Sequence, residues 1–511
     1  MPDNKVQKNS LAGRAVWLLA AKSIAYLFSF ALPLVLVRYL SQAEFGLYKQ
    51  AFLVVNTGVA WLPMGFMMSA YYFLPRETPA GQKAIITNIL FFYYGLGVLV
   101  WGLLALVPQV LTAWVGNADL LPYASLVGLA VLFWVGSSFL EVIALAHQET
   151  RLATLFIINA QLTKTLLLLL ATLAFGSVRA LLVAAIVQGA LQMLVLQWYL
   201  RSRFGAYWRH HDFALLRRQL SYALPLGGAG ILYYVFLDLH NYFVSHYFSA
   251  ADFAVYSLGS FTLPLVGLIY TAVSAVLIPH ISHLQTQAAQ AREILTLQVR
   301  AMRKLALLYF PIYAFFLVLG REVIEFMFGA RYLGAWPVLL VNITLIPFLA
   351  LIGDPILRAY PAQRFFMLKA RLFLLGPLCL ALWWGTTRAG LLGTAAAAIF
   401  FMIIDRIVEA GRAWTVAGGT WRDLPRLRVG GRIVIAATAA GLAAELVHRA
   451  LGDVKPLYHL AIGGITLAVV YGLVLIVSGA LEPGEKELLR SYWHGLLNGS
   501  VALDVKKPAR G

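Results

Sequence analysis

The sequence predicts an all-α polytopic membrane protein of about 14 transmembrane helices, built as two parallel six-helix repeats plus two extra C-terminal helices. Three observations predict it. Hydrophobic residues make up 61% of the 511 and charged ones only 12%, against roughly 25% in a soluble domain, so the chain cannot cover itself with a water-compatible surface. Apolar runs long enough to cross a bilayer as helices recur along its length. The stretch Arg38 to Tyr48 also returns 208 positions later as His246 to Tyr256. Five of its eleven positions are identical, and Asp252 replaces Glu44. An internal echo of this kind marks a duplicated unit.

Taken in order, the runs fall at 14–38, 49–73, 84–107, 121–144, 153–175 and 178–200, then 221–247, 254–279, 302–320, 336–353, 366–384, 389–410, 431–450 and 457–479. Lys5, Lys8 and Arg14 precede the first run, which is too long for the apolar core of a signal peptide, so it reads as an uncleaved helix. With the N-terminus inside, thirty of the forty Lys and Arg fall in cytoplasmic segments and eight in external ones. This is the positive-inside pattern, with both termini cytoplasmic. The net charge of +18 therefore reflects membrane topology, and no nucleic-acid partner is read from it.

The expected organisation is an N-lobe over 1–200 (helices 1–6), a basic cytoplasmic linker over 201–220 and a C-lobe over 221–412 (helices 7–12). Helices 13–14 follow over 413–480, with a cytoplasmic amphipathic helix and tail over 481–511. Spans 1 and 7 enter the membrane in the same direction, so the lobes are parallel repeats with a site expected between them. Pro33, Pro63, Pro225, Pro264, Pro311, Pro347 and Pro377 lie in or beside spans. Pro225 followed by Gly227-Gly228-Ala229-Gly230 makes the seventh span the expected place for a bend.

Chemistry has few places to live. The loops are short, no phosphate-binding Gly-rich loop is present, and no His, Cys and carboxylate set has metal-ligand spacing. No cofactor or metal is expected, and the single Cys379 reports no disulfide framework. Ionisable residues inside spans are then the functional expectation, because a charge at mid-bilayer costs roughly 2.5–3.5 kcal/mol. Lys164 sits mid-span and shares a face with Gln161 and Thr165; it reads as lining a polar cavity, against a packing contact. Lys22 either faces that cavity or snorkels to the interface. Gln188 and Gln192 share a face for ligand contact or interhelical bonding. Asp238, with Asn241 and Ser245 on its face, could bind a coupling ion, relay protons or pair with a helix, while His240 points elsewhere. Glu141, Asp405, Arg406 and Glu409 read as interfacial span ends, and Arg38 as an anchor.

Arg38, Leu40, Phe45, Gly46 and Tyr48 fall in a pattern that resembles the end of the first helix in polysaccharide-transport (PST, Wzx-type) oligosaccharide flippases of the MOP superfamily. The resemblance extends to Phe253 and Tyr256 in the echo and to Val323-Ile324-Glu325-Phe326-Met327-Phe328-Gly329 with Tyr332. The departures are Ser41 and Ala254, where the family often has Gly. The resemblance implies a non-enzymatic flippase that moves undecaprenyl-diphosphate-linked oligosaccharide across the bacterial inner membrane by alternating access. It would serve O-antigen, lipopolysaccharide or exopolysaccharide biosynthesis beside a polymerase and glycosyltransferases. Cavity cations, here Lys22 and Lys164, would hold the diphosphate. The alternatives are a lipid II flippase or a cation-coupled exporter of the same superfamily and, from another class, a membrane enzyme acting on lipid-linked sugars.

Overall fold

The computed structural model describes residues 23–485 except 26, 286–290, 364 and 483. Lys22 and the amphipathic stretch expected at 488–497 lie outside the described residues. The N-terminal half holds α1 (Ser23–Tyr39), α2 (Gln42–Trp61), α3 (Phe66–Phe73), α4 (Pro79–Leu106), α5 (Gln109–Val115), α6 (Ala124–Ser137), α7 (Phe139–Ala146), α8 (Thr150–Phe175) and α9 (Val178–Phe204). The C-terminal half holds α10 (Phe213–Tyr247), α11 (Ala250–Gly259), α12 (Pro264–Gln285), α13 (Ala291–Phe328), α14 (Ala335–Ile343), α15 (Asp354–Ala359), α16 (Phe366–Val416), α17 (Arg428–Leu451) and α18 (Pro456–Val477). Among the described residues 11 helices are long and apolar enough to cross a membrane, and Ser23–Tyr39 and Ala335–Ala350 are shorter apolar helices.

The two copies of the echo fold alike because both are helix starts. Ser41 caps α2: its hydroxyl accepts from the Glu44 N–H at 3.2 Å while the Glu44 carboxylate accepts from the Ser41 N–H at 2.9 Å. Ser249 and Asp252 repeat this at α11, at 3.1 and 3.3 Å. The Ser residues share one backbone conformation, φ −65° with ψ 163° and 162°. Such reciprocal caps satisfy donors that an apolar helix end has no other means to satisfy. Gly46 then lets α2 and α11 touch: a Cβ there would lie 1.7 Å from the Ala250 carbonyl oxygen.

The 51-residue α16 contains the expected spans 366–384 and 389–410, and it turns back on itself. Gly390 has φ 62° and ψ −142°, open only to a residue without a Cβ. Thr386 and Thr394 hydrogen bond at 2.8 Å, although eight residues of straight helix would separate them by about 12 Å. Both legs pack one cluster with Phe236 of α10, through Leu378 and Leu382 on one side and Ala398 and Phe401 on the other.

The bend expected in α10 is not where the chain breaks. Helix α10 runs unbroken over 35 residues through Pro225, and the interruption lies between α2 and α3, where Met64 (φ 42°) and Gly65 (φ 78°) leave the helical region after Pro63. Gly227 of α10 packs directly on the Met64 carbonyl. The glycines of α10 thus accommodate the broken helix opposite. In the N-terminal half, Ile85 and Ile89 of α4, Val127 and Val131 of α6, and Leu181 and Ala185 of α9 close the core. Helix α17 docks on α13 and α18 through a ridge of small residues, Ala437, Ala440 and Ala444, against Ala314 and Leu467. Close small-residue packing is how helices associate where lipid removes the hydrophobic drive.

Candidate functional site, a cationic cavity between the halves

A cavity of about 690 Å³ lies between the two halves, lined by α1, α2 and α8 on one side and by α10, α11, α12, α14 and α16 on the other. Three cations face it: Lys49, Lys164 and Arg406. Gln161, Asp238, His240 and Asn241 complete much of its polar lining, beside Tyr48, Phe253 and Tyr256 of the two echo copies.

The cations are held differently in the two halves. The Lys164 ammonium lies over the Trp134 ring at 4.3 Å from its centroid, and the Lys49 ammonium 5.5 Å from that of Phe45. Among the described residues neither lysine has a carboxylate in ion-pair contact. An aromatic face offsets part of the cost of an ammonium out of water, but leaves its hydrogen-bond donors open. In the C-terminal half Arg406 pairs with Glu409 at 3.4 Å and lies over Tyr270. Behind it Arg371 forms a two-pronged pair with Asp405, 3.0 Å on each arm, and Glu409 accepts the Asp354 N–H at 2.7 Å. Asp405, Glu409 and Asp354 of that half are engaged by arginines and Asp238 accepts from Asn241, so the lysines of the N-terminal half are the cavity cations without an ion-pair partner among the described residues.

Sequence-predicted residues divide accordingly. Lys164, Gln161, Asp238 and Asn241 meet at the cavity. Gln161 donates to Thr165 at 3.3 Å, and Asn241 donates to Asp238 at 3.5 Å. Gln188 and Gln192 are not among the lining residues: Gln188 is buried and donates to the Ala160 carbonyl at 3.4 Å, and Gln192 accepts from Ser137 at 3.4 Å, both binding helix to helix. His240 faces the cavity after all, its Nδ1 2.8 Å from the Tyr256 hydroxyl. Glu409 and Asp405 are buried inside the protein. Arg38 is exposed at the end of α1.

Lys49 and Arg406 are the cavity cations that the hydropathy reading misplaced: it sets Lys49 at the edge of 49–73, and it reads Arg406, although inside 389–410, as an interfacial span end. A charge facing a cavity lowers the local hydropathy, so a span edge is drawn at or near it. Helix α2 begins at Gln42, and α16 runs on to Val416, which puts both residues two or more turns inside. The Ser41-x-x-Glu44 cap signal could have moved the first boundary and exposed Lys49 as an intramembrane charge.

At the end of the molecule that carries Ser41 and Ser249, the stretches quoted for the family resemblance come together. Phe45 meets Tyr332 edge to face at 6.2 Å, Arg331 donates to the Leu40 carbonyl at 3.0 Å, and Gln42 donates to the Arg331 carbonyl. Deeper, Gln50 donates to Ser245 at 2.9 Å and accepts from Asn117 at 2.7 Å, and Ser245 donates to the Val115 carbonyl at 2.9 Å.

Solved structures share this architecture. The chain is similar to lipid II flippase MurJ in an inward closed conformation, with TM-score 0.70 and 14% identity over 90% of this chain and 98% of that one. It is also similar to an inward-facing multidrug resistance MATE family transporter of the MOP superfamily, with TM-score 0.62 and 14% identity over 77% and 94%. A point mutant of the Vibrio cholerae MATE transporter VcmN follows, with TM-score 0.57 and 15% identity over 82% and 98%. No curated protein matches the chain. At these identities the likeness establishes the fold alone, the one these solved structures share. The model of the polysaccharide biosynthesis protein family matches residues 35–337, more than half of the sequence, and the chain belongs to that family.

Proposed function

We propose that the protein is a flippase that moves a lipid-linked oligosaccharide, carried on undecaprenyl diphosphate, between the leaflets of the bacterial inner membrane by alternating access. It is not an enzyme on this reading, and its termini face the cytoplasm. The observation that carries the proposal is the pair of lysines, Lys49 and Lys164, facing a cavity between the halves with no carboxylate in ion-pair contact among the described residues. An uncompensated ammonium within a membrane protein is costly, and an anionic group of the cargo supplies the missing partner. Lys serves a diphosphate as a point charge, and Arg406 faces the same space from the opposite half. Gln161, Asn241 and the cavity tyrosines offer neutral hydrogen-bonding groups to sugar hydroxyls. Lipopolysaccharide or exopolysaccharide assembly, with a polymerase and glycosyltransferases as neighbours, is the setting in which such a cargo arises.

The test is leaflet-to-leaflet transfer of an undecaprenyl-diphosphate oligosaccharide in proteoliposomes. The native chain should transfer it, and Lys164→Ala should lower the rate by about tenfold or more, as loss of a charged contact to a desolvated ligand does. Absence of transfer by the native chain with any lipid-linked glycan would sink the reading.

One observation favours a second reading. Asp238 lines the cavity together with Asn241, and a carboxylate there suits a coupling cation or a cationic cargo, as in a cation-coupled exporter. Export of an organic cation that depends on Asp238 and not on the lysines would select it.

A further inference from the structure

Asp238 faces two spaces. Besides the central cavity it lines a groove of about 410 Å³ whose walls come from both halves: Thr57 and Trp61 of α2 and Trp114 of α5 on one side, α10 and Trp383 of α16 on the other. Between the halves, Thr57 and Tyr242 share a hydrogen bond at 2.6 Å, and Trp114 stacks on Tyr242 at 5.4 Å with 12° between the rings. The outer edge of the groove is open, with Trp383 54% and Tyr234 44% exposed.

The groove's walls are mostly ring faces, and Asp238 and His246 are its only ionisable groups, the tyrosines aside, among the described residues. A diphosphate has no lysine or arginine to hold it there, and Asp238 has the wrong sign for it. An aromatic belt at the membrane surface does not account for it either, because a belt is a shallow ring at one depth. Here Tyr247 ends α10 and Tyr234 lies thirteen residues earlier, about 20 Å along the helix, with Trp61 on the facing wall. The groove is therefore elongated along the helices, apolar, open to lipid on its long side, and joined at Asp238 to the cavity that holds the lysines.

We propose that this groove is the seat of the cargo's isoprenoid chain: with the diphosphate on Lys49 and Lys164, the prenyl tail leaves the cavity past Asp238 and lies along α10 between Trp61 and Trp383. The proposal rests on the diphosphate reading of the cavity. The branched, partly flat units of a prenyl chain pack their methyls and alkenes against ring faces. The Thr57–Tyr242 bond and the Trp114–Tyr242 stack form the partition that parts when a headgroup passes between cavity and lipid. Asp238 at the junction repels the diphosphate from the groove and so keeps head and tail in their own compartments.

The test is photo-crosslinking of the full-length protein in nanodiscs with a geranylgeranyl diphosphate that carries a diazirine at the far end of its tail. Labelled peptides are mapped by mass spectrometry, with and without excess inorganic diphosphate. The expected result is labelling of the 57–61, 234–247 and 383 segments, suppressed by inorganic diphosphate. Trp383→Ala, at an exposed position that leaves the core intact, should weaken binding of the prenyl diphosphate about tenfold while inorganic diphosphate binding is unchanged. Labelling that diphosphate suppresses but that maps to the α13–α17 surface or scatters over lipid-facing residues would overturn the groove and leave the cavity reading standing. Groove labelling that neither diphosphate nor Lys164→Ala diminishes would make the groove a site for bulk lipid, which overturns this proposal. Loss of inorganic diphosphate binding itself, measured separately, would identify the cavity reading as the part that failed.

Discussion

The lysines define the chemistry of this molecule at the scale of single residues. Each sits in the membrane-spanning region near a ring face, without an ion-pair partner among the described residues. A buried charge held for function lowers stability, and removing it should reveal that cost. Lys49→Met and Lys164→Met should each raise thermal stability of the ligand-free protein, by about 1–2 kcal/mol. That is less than the full mid-bilayer cost, because the rings already offset part of it. The same variants should lose affinity for inorganic diphosphate. A melting curve in detergent with and without diphosphate reads both effects. Lower stability without ligand would mean that the lysines are structural. Arg406 should behave oppositely, since its loss leaves the buried Glu409 carboxylate with only the longer Arg371 contact at 3.7 Å as its ion pair.

Between elements, the decisive contact is the crossing of α2 and α11 just beyond their capping boxes. It depends on Gly46, whose hydrogen faces the Ala250 backbone. Gly46→Val would force two backbones apart that a side-chain adjustment cannot relieve. It should destabilise the closed arrangement at this end by about 3 kcal/mol or more. A cysteine placed at Ser257, which lines the cavity, should then react faster with a membrane-impermeant thiol reagent applied from the Ser41 end. Unchanged labelling would show that the crossing does not control access. The second copy has Ala254 at the place of Gly46, itself fully buried, so the echo repeats the cap but not the close approach.

Across the whole molecule, the halves are joined at both ends of the cavity. At the Ser41 end, Gln50 and Ser245 are both fully buried in a chain of hydrogen bonds running to Asn117 and the Val115 carbonyl. At the opposite end, Arg218 faces Glu77 at 3.8 Å with 66% of the arginine side chain exposed, and Tyr222 stacks on Tyr72 at 4.8 Å. Exposed pairs contribute little, whereas breaking one member of a buried network leaves its partners unsatisfied. At that opposite end, however, the Asn88 amide donates to Gln219 at 3.1 Å between the halves, both residues fully buried, so each end has a buried hydrogen bond to break. Gln50→Leu should shift the balance towards opening at the Ser41 end, with a loss of about 1–3 kcal/mol of stability and faster thiol labelling from that side. A variant as stable and as closed as the native chain would remove this network as a latch.

The sequence by itself determined the class, the approximate helices, the helix starts and the residue types available for a site. Hydropathy and capping are local: a bilayer selects apolar runs, and Ser41 finds Glu44 three residues away whatever the rest of the chain does. It therefore named Lys164, Gln161, Asp238 and Asn241 from charge and polarity alone. Only the tertiary structure decided which polar residues share one space. Helix rotation turned Gln188 and Gln192 into packing contacts and brought His240 to face the cavity. The boundaries of α2 and α16 turned Lys49 and Arg406 from span-edge and interface residues into cavity cations. The bond from Gln50 to Ser245 joins residues 195 positions apart. No local rule links such positions, because they meet only when two packed halves fix every helix in depth and rotation.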